Sequence, residues 1–150
     1  MSRYFLDSSA LVKRYHQESG TEEVERLFQR TGDRLFISRL ALVEIHSCFA
    51  RLVREGVLAA GDFGSLVARV EADVASGLLI VAALSNPRLN EASVLLGTHG
   101  LIHPIRTLDA IHLATAQALD RRANLTAFIA ADKRLLASAI ACGLAILDVA

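Results

Sequence analysis

The stretch RYFLDSSALVKRY, residues 3–15, contains a short apolar run that ends on an acid just before a helical pattern begins. The run from Tyr4 to Leu6 is typical of a buried strand, and the residues from Ser8 onwards are typical of a helix start. Asp7 stands between the two elements. Its carboxylate can cap the helix by accepting from the free N–H groups of the first turn. It can also belong to a group of carboxylates that performs chemistry, and the remaining sequence is needed to distinguish these two roles.

Five apolar runs alternate with helical patterns along the chain. The strand-like runs cover residues 3–6, 34–37, 78–83, 125–130 and 144–149. The helix-like stretches cover residues 9–15, 20–31, 39–54, 59–76, 87–99, 107–122 and 132–142. Continuously apolar strands such as LLIVAAL, residues 78–84, are typical of a parallel sheet that is covered on both faces. The alternation predicts one α/β domain over residues 1–150, with right-handed crossovers between the strands.

Several residues mark the expected ends of these helices. Ser38 precedes the helical stretch 39–54, and Gly56 follows it, as expected for an N-cap and a C-terminal glycine. Asn86 and Pro87 predict a cap followed by proline at the first helical position. Cys48 and Cys142 lie in helix-like apolar stretches without a CxxC or Cys/His pairing, so we expect free, buried thiols.

Composition limits the possible locations and partners. Hydrophobic residues make up 53% of the chain and the mean hydropathy is +0.39, but no apolar run approaches the roughly 18 residues of a membrane span. The chain reaches Asp7 before the apolar core of a signal peptide can form, so we expect a cytoplasmic protein. Sixteen basic and sixteen acidic residues give a formal net charge of zero. That balance neither requires nor excludes a nucleic-acid partner.

Four acids lie where a solvated carboxylate is not expected. Most others, Asp73 among them, accompany polar residues and are expected on solvent faces. Asp7 ends the first strand, and Asp132 follows the strand-like segment LTAFIAA. Glu44 and Asp109 lie inside apolar helical segments, LALVEIHSCF and IRTLDAIHLATAQAL. An isolated carboxylate in an apolar setting is costly unless it is paired, protonated or bound to a metal ion.

The predicted topology offers one explanation for all four acids. Asp7 and Asp132 each follow the carboxyl end of a strand, where ligands of open parallel sheets collect if the strand order reverses. Glu44 and Asp109, on neighbouring helices, can complete the group. Ligands that are all carboxylate oxygens suit Mg²⁺ or Mn²⁺ better than zinc. The sequence therefore predicts a divalent-cation site at this edge of the sheet.

Four segments together resemble the PIN-domain ribonucleases, and most closely the VapC-type toxins of bacterial toxin–antitoxin pairs. They are YFLDSSALVKRY, SRLALVEIHS, RTLDAIHLATAQAL and FIAADKRLLASA, in the order of the family. The resemblance implies a five-stranded parallel sheet of order 3-2-1-4-5 and metal-dependent hydrolysis of RNA phosphodiester bonds. It makes Asp7, Glu44, Asp109 and Asp132 the catalytic, metal-binding quartet and places the Ser9 hydroxyl beside the first acid. It also implies a cognate antitoxin, and with the high apolar content we expect a homodimer.

Two positions modify this expectation. The family often has Thr or Ser two residues before the last acid, whereas this chain has Ala130, so a hydrogen bond that supports a metal ligand is absent or replaced. His112 follows Asp109 by three residues and shares its helical face. We interpret His112 as a hydrogen-bonded core residue, with contact to Asp109 or to RNA as the alternative.

Other interpretations remain open at this point. Asp7 and Asp132 can be simple helix caps, Glu44 can form a buried ion pair with an arginine, and Asp109 can complement the dipole of its helix. A phosphatase of the haloacid-dehalogenase type also begins with a strand that ends in Asp, but it needs a second acid where this chain has Ser9. A PIN-like module that binds RNA or a protein without cleaving is the remaining alternative.

Basic residues close to the motif acids are candidates for a phosphate path, although each is equally typical of an exposed helix turn. They are Lys13, Arg14, Arg106, Lys133 and Arg134. Glu18 is expected as a solvated loop acid near the mouth of the site.

Overall fold

A computed structural model describes residues 1–150 as one five-stranded parallel sheet with helices on both faces. The strands are β1 (Arg3–Leu6), β2 (Arg34–Ser38), β3 (Leu79–Ala82), β4 (Ala127–Ala130) and β5 (Ile146–Asp148). Their order across the sheet is β3-β2-β1-β4-β5, and every neighbouring pair is parallel. The predicted α/β class and strand order are confirmed.

Seven α-helices connect and cover the strands. They are α1 (Ser8–Leu11), α2 (Thr21–Gln29), α3 (Arg39–Arg54), α4 (Asp62–Ala75), α5 (Asn86–Thr98), α6 (Thr107–Ala123) and α7 (Lys133–Ala141). Short 3₁₀ turns, Val12–Arg14 and His99–Leu101, follow α1 and α5. None of these helices is both long and apolar enough to cross a membrane.

Successive strand residues point to opposite faces of the sheet, and both faces are buried. In β1, Leu6 packs with α1–α4 in one core cluster, whereas Phe5 packs with α5–α7 in the other. The Phe5 ring stacks on Phe128 of β4 with ring centroids 5.6 Å apart. Because helices cover both faces of the sheet, the inner positions of the strands are apolar on either face, which explains their apolar runs.

The helix ends follow the sequence signals with one correction. The Ser38 hydroxyl accepts from the Ala41 amide at 3.2 Å, and Gly56 has a φ of +73° just after α3. The N-cap of α5 is Ser85, however, so Asn86 already lies inside the helix and Pro87 is the second helical residue. Proline is tolerated there because the first-turn N–H groups have no partner within the helix.

The carboxyl ends of β1, β2 and β4 define the edge of the sheet that carries the candidate site. β1 lies between β2 and β4, and all three run in the same direction, so their carboxyl ends share one edge. The strand order reverses at β1, since β2 and β3 lie on one side of it and β4 and β5 on the other. This is the position at which open parallel sheets bind ligands.

Candidate active site at the carboxyl edge of the sheet

Asp7 is a buried helix cap. Only 4% of the residue is exposed, and its Oδ1 accepts from the Ala10 amide at 3.0 Å and from the Ser9 hydroxyl at 2.7 Å. Burial raises the pKa of the Asp7 carboxyl, and the hydrogen bonds from Ser9 and Ala10 oppose that rise only in part. The cap interpretation is therefore geometrically correct. Capping alone does not account for the burial, because burial disfavours an ionised carboxylate unless a cation lies nearby.

Ser9 connects the turn after β1 to the turn after β4. Its hydroxyl donates to Asp7 Oδ1 and accepts from the Ala131 amide at 2.9 Å. Ala131 immediately precedes Asp132, the N-cap of α7. The structure thus places Ser9 beside Asp7, as the resemblance implies. It also bonds Ser9 to Ala131, the residue directly before Asp132.

His112 holds Glu44 across the space between α6 and α3. The imidazole is 2% exposed; its Nε2 is hydrogen-bonded to Glu44 Oε1, and its Nδ1 lies 3.1 Å from the Ser38 hydroxyl. If Ser38 donates to Nδ1, the proton of the neutral ring is on Nε2 and is donated to Glu44. The interpretation of His112 as a hydrogen-bonded core residue is confirmed. Its carboxylate partner is Glu44 rather than Asp109.

Asp109 and Asp132 both accept from backbone amides at helix starts. Asp109, in the first turn of α6, accepts from the Arg106 amide at 3.1 Å. Asp132 caps α7 by accepting from the amides of Arg134 and Leu135 at 2.9 and 3.3 Å. Its Oδ2 also lies 3.4 Å from Arg134 Nη2, and the side chain is 40% exposed. Both acids are less buried than Asp7.

The structure places Asp7 and Asp132 at the carboxyl ends of neighbouring strands and Asp109 one turn before His112 on α6, without closing the acids into a coordination shell. Glu44 is tied to α6 through His112, and Asp132 to the β1 turn through Ser9 and Ala131. No group of three or more His, Cys, Asp or Glu side chains is close enough to hold a metal ion. Asp7, Asp109 and Asp132 are instead held by donors at their own helix starts, and Glu44 is held by His112. The ligand set predicted from the sequence stays a prediction.

A cleft of about 510 Å³ opens beside these residues between α1 and α3. Ser9 and Glu44 line it together with Glu18, Leu108 and two arginines of α3, Arg51 and Arg54. The cleft therefore combines Glu44, one of the four predicted ligands, with basic side chains.

The predicted phosphate path is only partly available. Lys13 is 5% exposed; its ammonium donates to the Ser19 carbonyl and pairs with Glu18 at 3.1 Å, so it fixes the loop before α2. Arg14 lies 3.5 Å from Asp73, which also accepts from the Tyr15 hydroxyl at 2.8 Å. The expectation of Asp73 on a solvent face is wrong, because α4 brings it against these two partners.

The remaining predicted cations differ in exposure. Arg134 pairs with Asp132, whereas Arg106 and Lys133 are exposed at the starts of α6 and α7. The sequence prediction did not include Arg51 and Arg54, because they lie outside the four motif segments. Their spacing from Glu44, seven and ten residues along the same helix, is the signal that identifies them.

Comparison with known proteins agrees with this geometry. The PIN domain profile matches residues 4–140. Ribonuclease VapC35 of Mycobacterium tuberculosis is 34% identical over 143 residues, which cover 95% of this chain and 93% of that protein. The chain therefore belongs to the PIN-domain family. The resemblance to VapC-type ribonucleases is confirmed, and the haloacid-dehalogenase alternative is not supported.

Solved structures share the fold at lower sequence identity. FitAcB from Neisseria gonorrhoeae superposes with a TM-score of 0.68 at 17% identity, covering 97% of each chain. VapC20 of Mycobacterium tuberculosis, a sarcin–ricin loop cleaving toxin, superposes with a TM-score of 0.65 at 17% identity, covering 90% of this chain and 94% of that one. At this identity the two structures support the fold alone.

Proposed function

We propose that this chain is a metal-dependent endoribonuclease that hydrolyses RNA phosphodiester bonds as the toxin of a toxin–antitoxin pair. One observation carries the proposal. Ser9 bonds both Asp7 and the amide next to Asp132, and His112 separately bonds Glu44 and Ser38 at the end of β2, in a PIN-domain fold. The 34% identical relative, which matches nearly the whole chain, is a ribonuclease.

The donor set fits Mg²⁺ or Mn²⁺. Asp7, Glu44, Asp109 and Asp132 offer only hard carboxylate oxygens, the donors these ions prefer. Burial of Asp7 is a further reason to expect a cation. Burial raises the pKa of this carboxyl, and a bound cation would offset the cost of its buried negative charge. When bound, a divalent cation offsets the negative charge of the phosphate and lowers the pKa of a coordinated water.

The protein's own contribution is to hold the carboxylates in fixed orientations. His112 orients Glu44, and the Ser9 hydroxyl and the Ala10 amide orient Asp7. The first-turn amides of α7 hold one oxygen of Asp132. Hydrogen bonds of this kind to metal ligands typically change metal affinity or activity by about 10–100-fold.

Ala130 is fully buried among apolar neighbours of α7 and cannot donate to Asp132. The guanidinium of Arg134 lies at the Asp132 carboxylate instead. We propose that Arg134 replaces part of the missing hydroxyl contact. Because a guanidinium also competes electrostatically with a cation, the Asp132 position is expected to bind metal more weakly than it would with a hydroxyl neighbour.

The partner we propose is a cognate antitoxin, as the VapC resemblance implies. An apolar groove of about 580 Å³ lies between α3 and α4, is lined by none of the four predicted ligands, and has Val43 on its wall, which is 66% exposed. Large exposed apolar side chains in such a groove are typical of protein interaction sites. Light scattering of the chain alone and with its antitoxin tests both the homodimer and the complex. A monomer that is unchanged by the antitoxin would contradict both.

Cleavage of bacterial RNA by purified protein tests the proposed function. We expect products in Mg²⁺ or Mn²⁺, none in EDTA, and none from an Asp7→Asn variant purified in parallel. Glu22→Gln, which alters an acid on the exposed face of α2, is the matched control and should cleave like the wild type. Full activity in EDTA would contradict the metal mechanism. No cleavage under any condition would favour a binding module without catalysis.

A further inference from the structure

Two arginines of α3 lie in line with Glu44. Glu44, Ser47, Arg51 and Arg54 are separated by three, four and three residues, a spacing that places them along one face of a helix. All four line the same cleft. With a rise of about 1.5 Å per residue, Arg51 lies about 10 Å and Arg54 about 15 Å along the axis from Glu44.

Neither guanidinium is neutralised by a carboxylate. The only polar side-chain contact of Arg51 is with Cys48 Sγ at 3.7 Å, and both arginines are exposed. The ion pairs of the chain use other arginines: Arg14, Arg26, Arg88, Arg121 and Arg134. Two full positive charges are therefore available to a ligand in the cleft.

The charges around the cleft indicate what the two arginines bind. Glu44 and its acidic neighbours repel a polyanion, and the chain as a whole has no net charge to attract one. Attraction for RNA must therefore come from a local patch. The Arg51 guanidinium reaches back to Cys48, four residues or about 6 Å along the axis from Glu44, and the Cα atom of Arg54 lies further away. Both distances exceed the rise between neighbouring phosphates of one strand, about 3.4 Å along a duplex axis. Each arginine would thus meet a phosphate other than the one being cleaved.

We propose that Arg51 and Arg54, the arginine pair, bind backbone phosphates of the RNA next to the cleaved one and set the position of the strand beside Glu44. This inference rests on the proposed function. The arginine pair acts on substrate binding and position, not on the reacting atoms. Because phosphate contacts carry no base information, the pair strengthens binding without selecting a sequence.

Salt-dependent RNA binding provides a readout that a purely structural role would not change. The protein is titrated with a fluorescent single-stranded RNA of mixed sequence in EDTA at several salt concentrations. Each Arg→Gln change in the pair should weaken binding roughly tenfold. It should also reduce the salt slope by about 0.7. In Mg²⁺, KM for cleavage should rise while kcat stays near the wild-type value.

Two controls separate charge from folding. Arg122→Gln removes an exposed, unpaired arginine on α6, outside the cleft, and should change neither the slope nor KM. The double Arg→Lys variant keeps both charges and should retain most of the salt slope.

The outcomes distinguish the inference from the function on which it rests. If the wild type cleaves RNA and Arg51→Gln/Arg54→Gln binds with the wild-type slope, the inference is wrong and the proposed function stands. If the wild type fails to cleave RNA in Mg²⁺ and in Mn²⁺, the proposed function is wrong, and the inference falls with it. A reduced slope in the pair variants alone, with an active wild type, supports both.

Discussion

The Ser9 hydroxyl links Asp7 to the backbone amide of Ala131, which lies 122 residues after Ser9. It donates to one at 2.7 Å and accepts from the other at 2.9 Å. β1 and β4 are neighbours in the sheet, so this one side chain fastens together the two turns that carry Asp7 and Asp132. The position of the first acid relative to the last therefore depends on Ser9.

Replacing Ser9 by alanine should reduce RNA cleavage by about 10–100-fold, because Asp7 loses a donor and the two turns lose their link. The free energy of unfolding should fall by about 1 kcal/mol. Rates and thermal melts are the measurements. Ser93→Ala is the matched control, since that hydroxyl bonds only within α5. A Ser9→Ala rate equal to that of the control would show that the link has no catalytic consequence.

Replacing His112 by asparagine should lower Mn²⁺ affinity and cleavage by about 10–100-fold. The shorter side chain still reaches Ser38 but no longer contacts Glu44. Titration calorimetry with Mn²⁺ measures the effect directly. His46→Asn changes an exposed histidine of α3 that bonds only to the Leu42 carbonyl, and it should leave Mn²⁺ affinity unchanged. Equal affinities in the two variants would contradict the role of His112 in orienting Glu44.

The metal-free stability of the protein should depend on pH through Asp7. Because burial raises the pKa of Asp7, the folded state retains a proton that the unfolded state releases above about pH 4. The free energy of unfolding therefore falls as pH rises through the raised pKa, and it rises again on acidification. Asp7→Asn lacks this titration and keeps the cap, since asparagine caps about as well as aspartate.

In EDTA, the Asp7→Asn variant should consequently melt at a higher temperature than the wild type at pH 7. The difference should shrink as the pH approaches 4. Thermal melts of both proteins over this range test the expectation. A wild type more stable than the variant at pH 7 would show that the buried charge is already compensated without metal.

The loop that carries Glu18 into the cleft depends on Gly20. Gly20 has a φ of +80°, and a Cβ built there would lie 1.8 Å from the Val149 carbonyl oxygen. Gly32 has a similar φ of +90° with no atom within 4 Å of the corresponding Cβ. Gly20→Ala should therefore destabilise the fold by roughly 2 kcal/mol more than Gly32→Ala, the control for backbone strain alone. Equal losses in urea unfolding would contradict the close approach.

The fold was predictable from local patterns, because strands buried on both faces need unbroken apolar runs. Each strand boundary agrees to within two residues, and the last strand differs most, covering Ile146–Asp148 rather than 144–149. Helix starts agree to within one residue except at α4, which begins at Asp62 rather than at residue 59. Asn86 and Ser85 are both good caps in sequence terms, and only the backbone geometry shows that the helix begins after Ser85.

The site was predictable in its acids but not in its contacts. Asp7 and Asp132 follow strands, which sequence order reveals. The hydrogen bond between His112 and Glu44 joins residues 68 positions apart on two helices, so it depends on how α6 packs against α3. Likewise, the sequence around Lys13 does not show that its ammonium turns inward to the loop at Ser19. Helical spacing specifies which residues share a face but not what that face meets.

The central claim is that the four carboxylates bind a divalent cation, and the shift in melting temperature on adding Mg²⁺ tests it most directly. A cation that binds the folded state stabilises it in proportion to the logarithm of its concentration above the dissociation constant. We predict that Mg²⁺ raises the melting temperature of the wild type and has little effect on Asp7→Asn, whose fold and cap are preserved. Equal shifts in the two proteins would show that Asp7 is a helix cap and not a metal ligand.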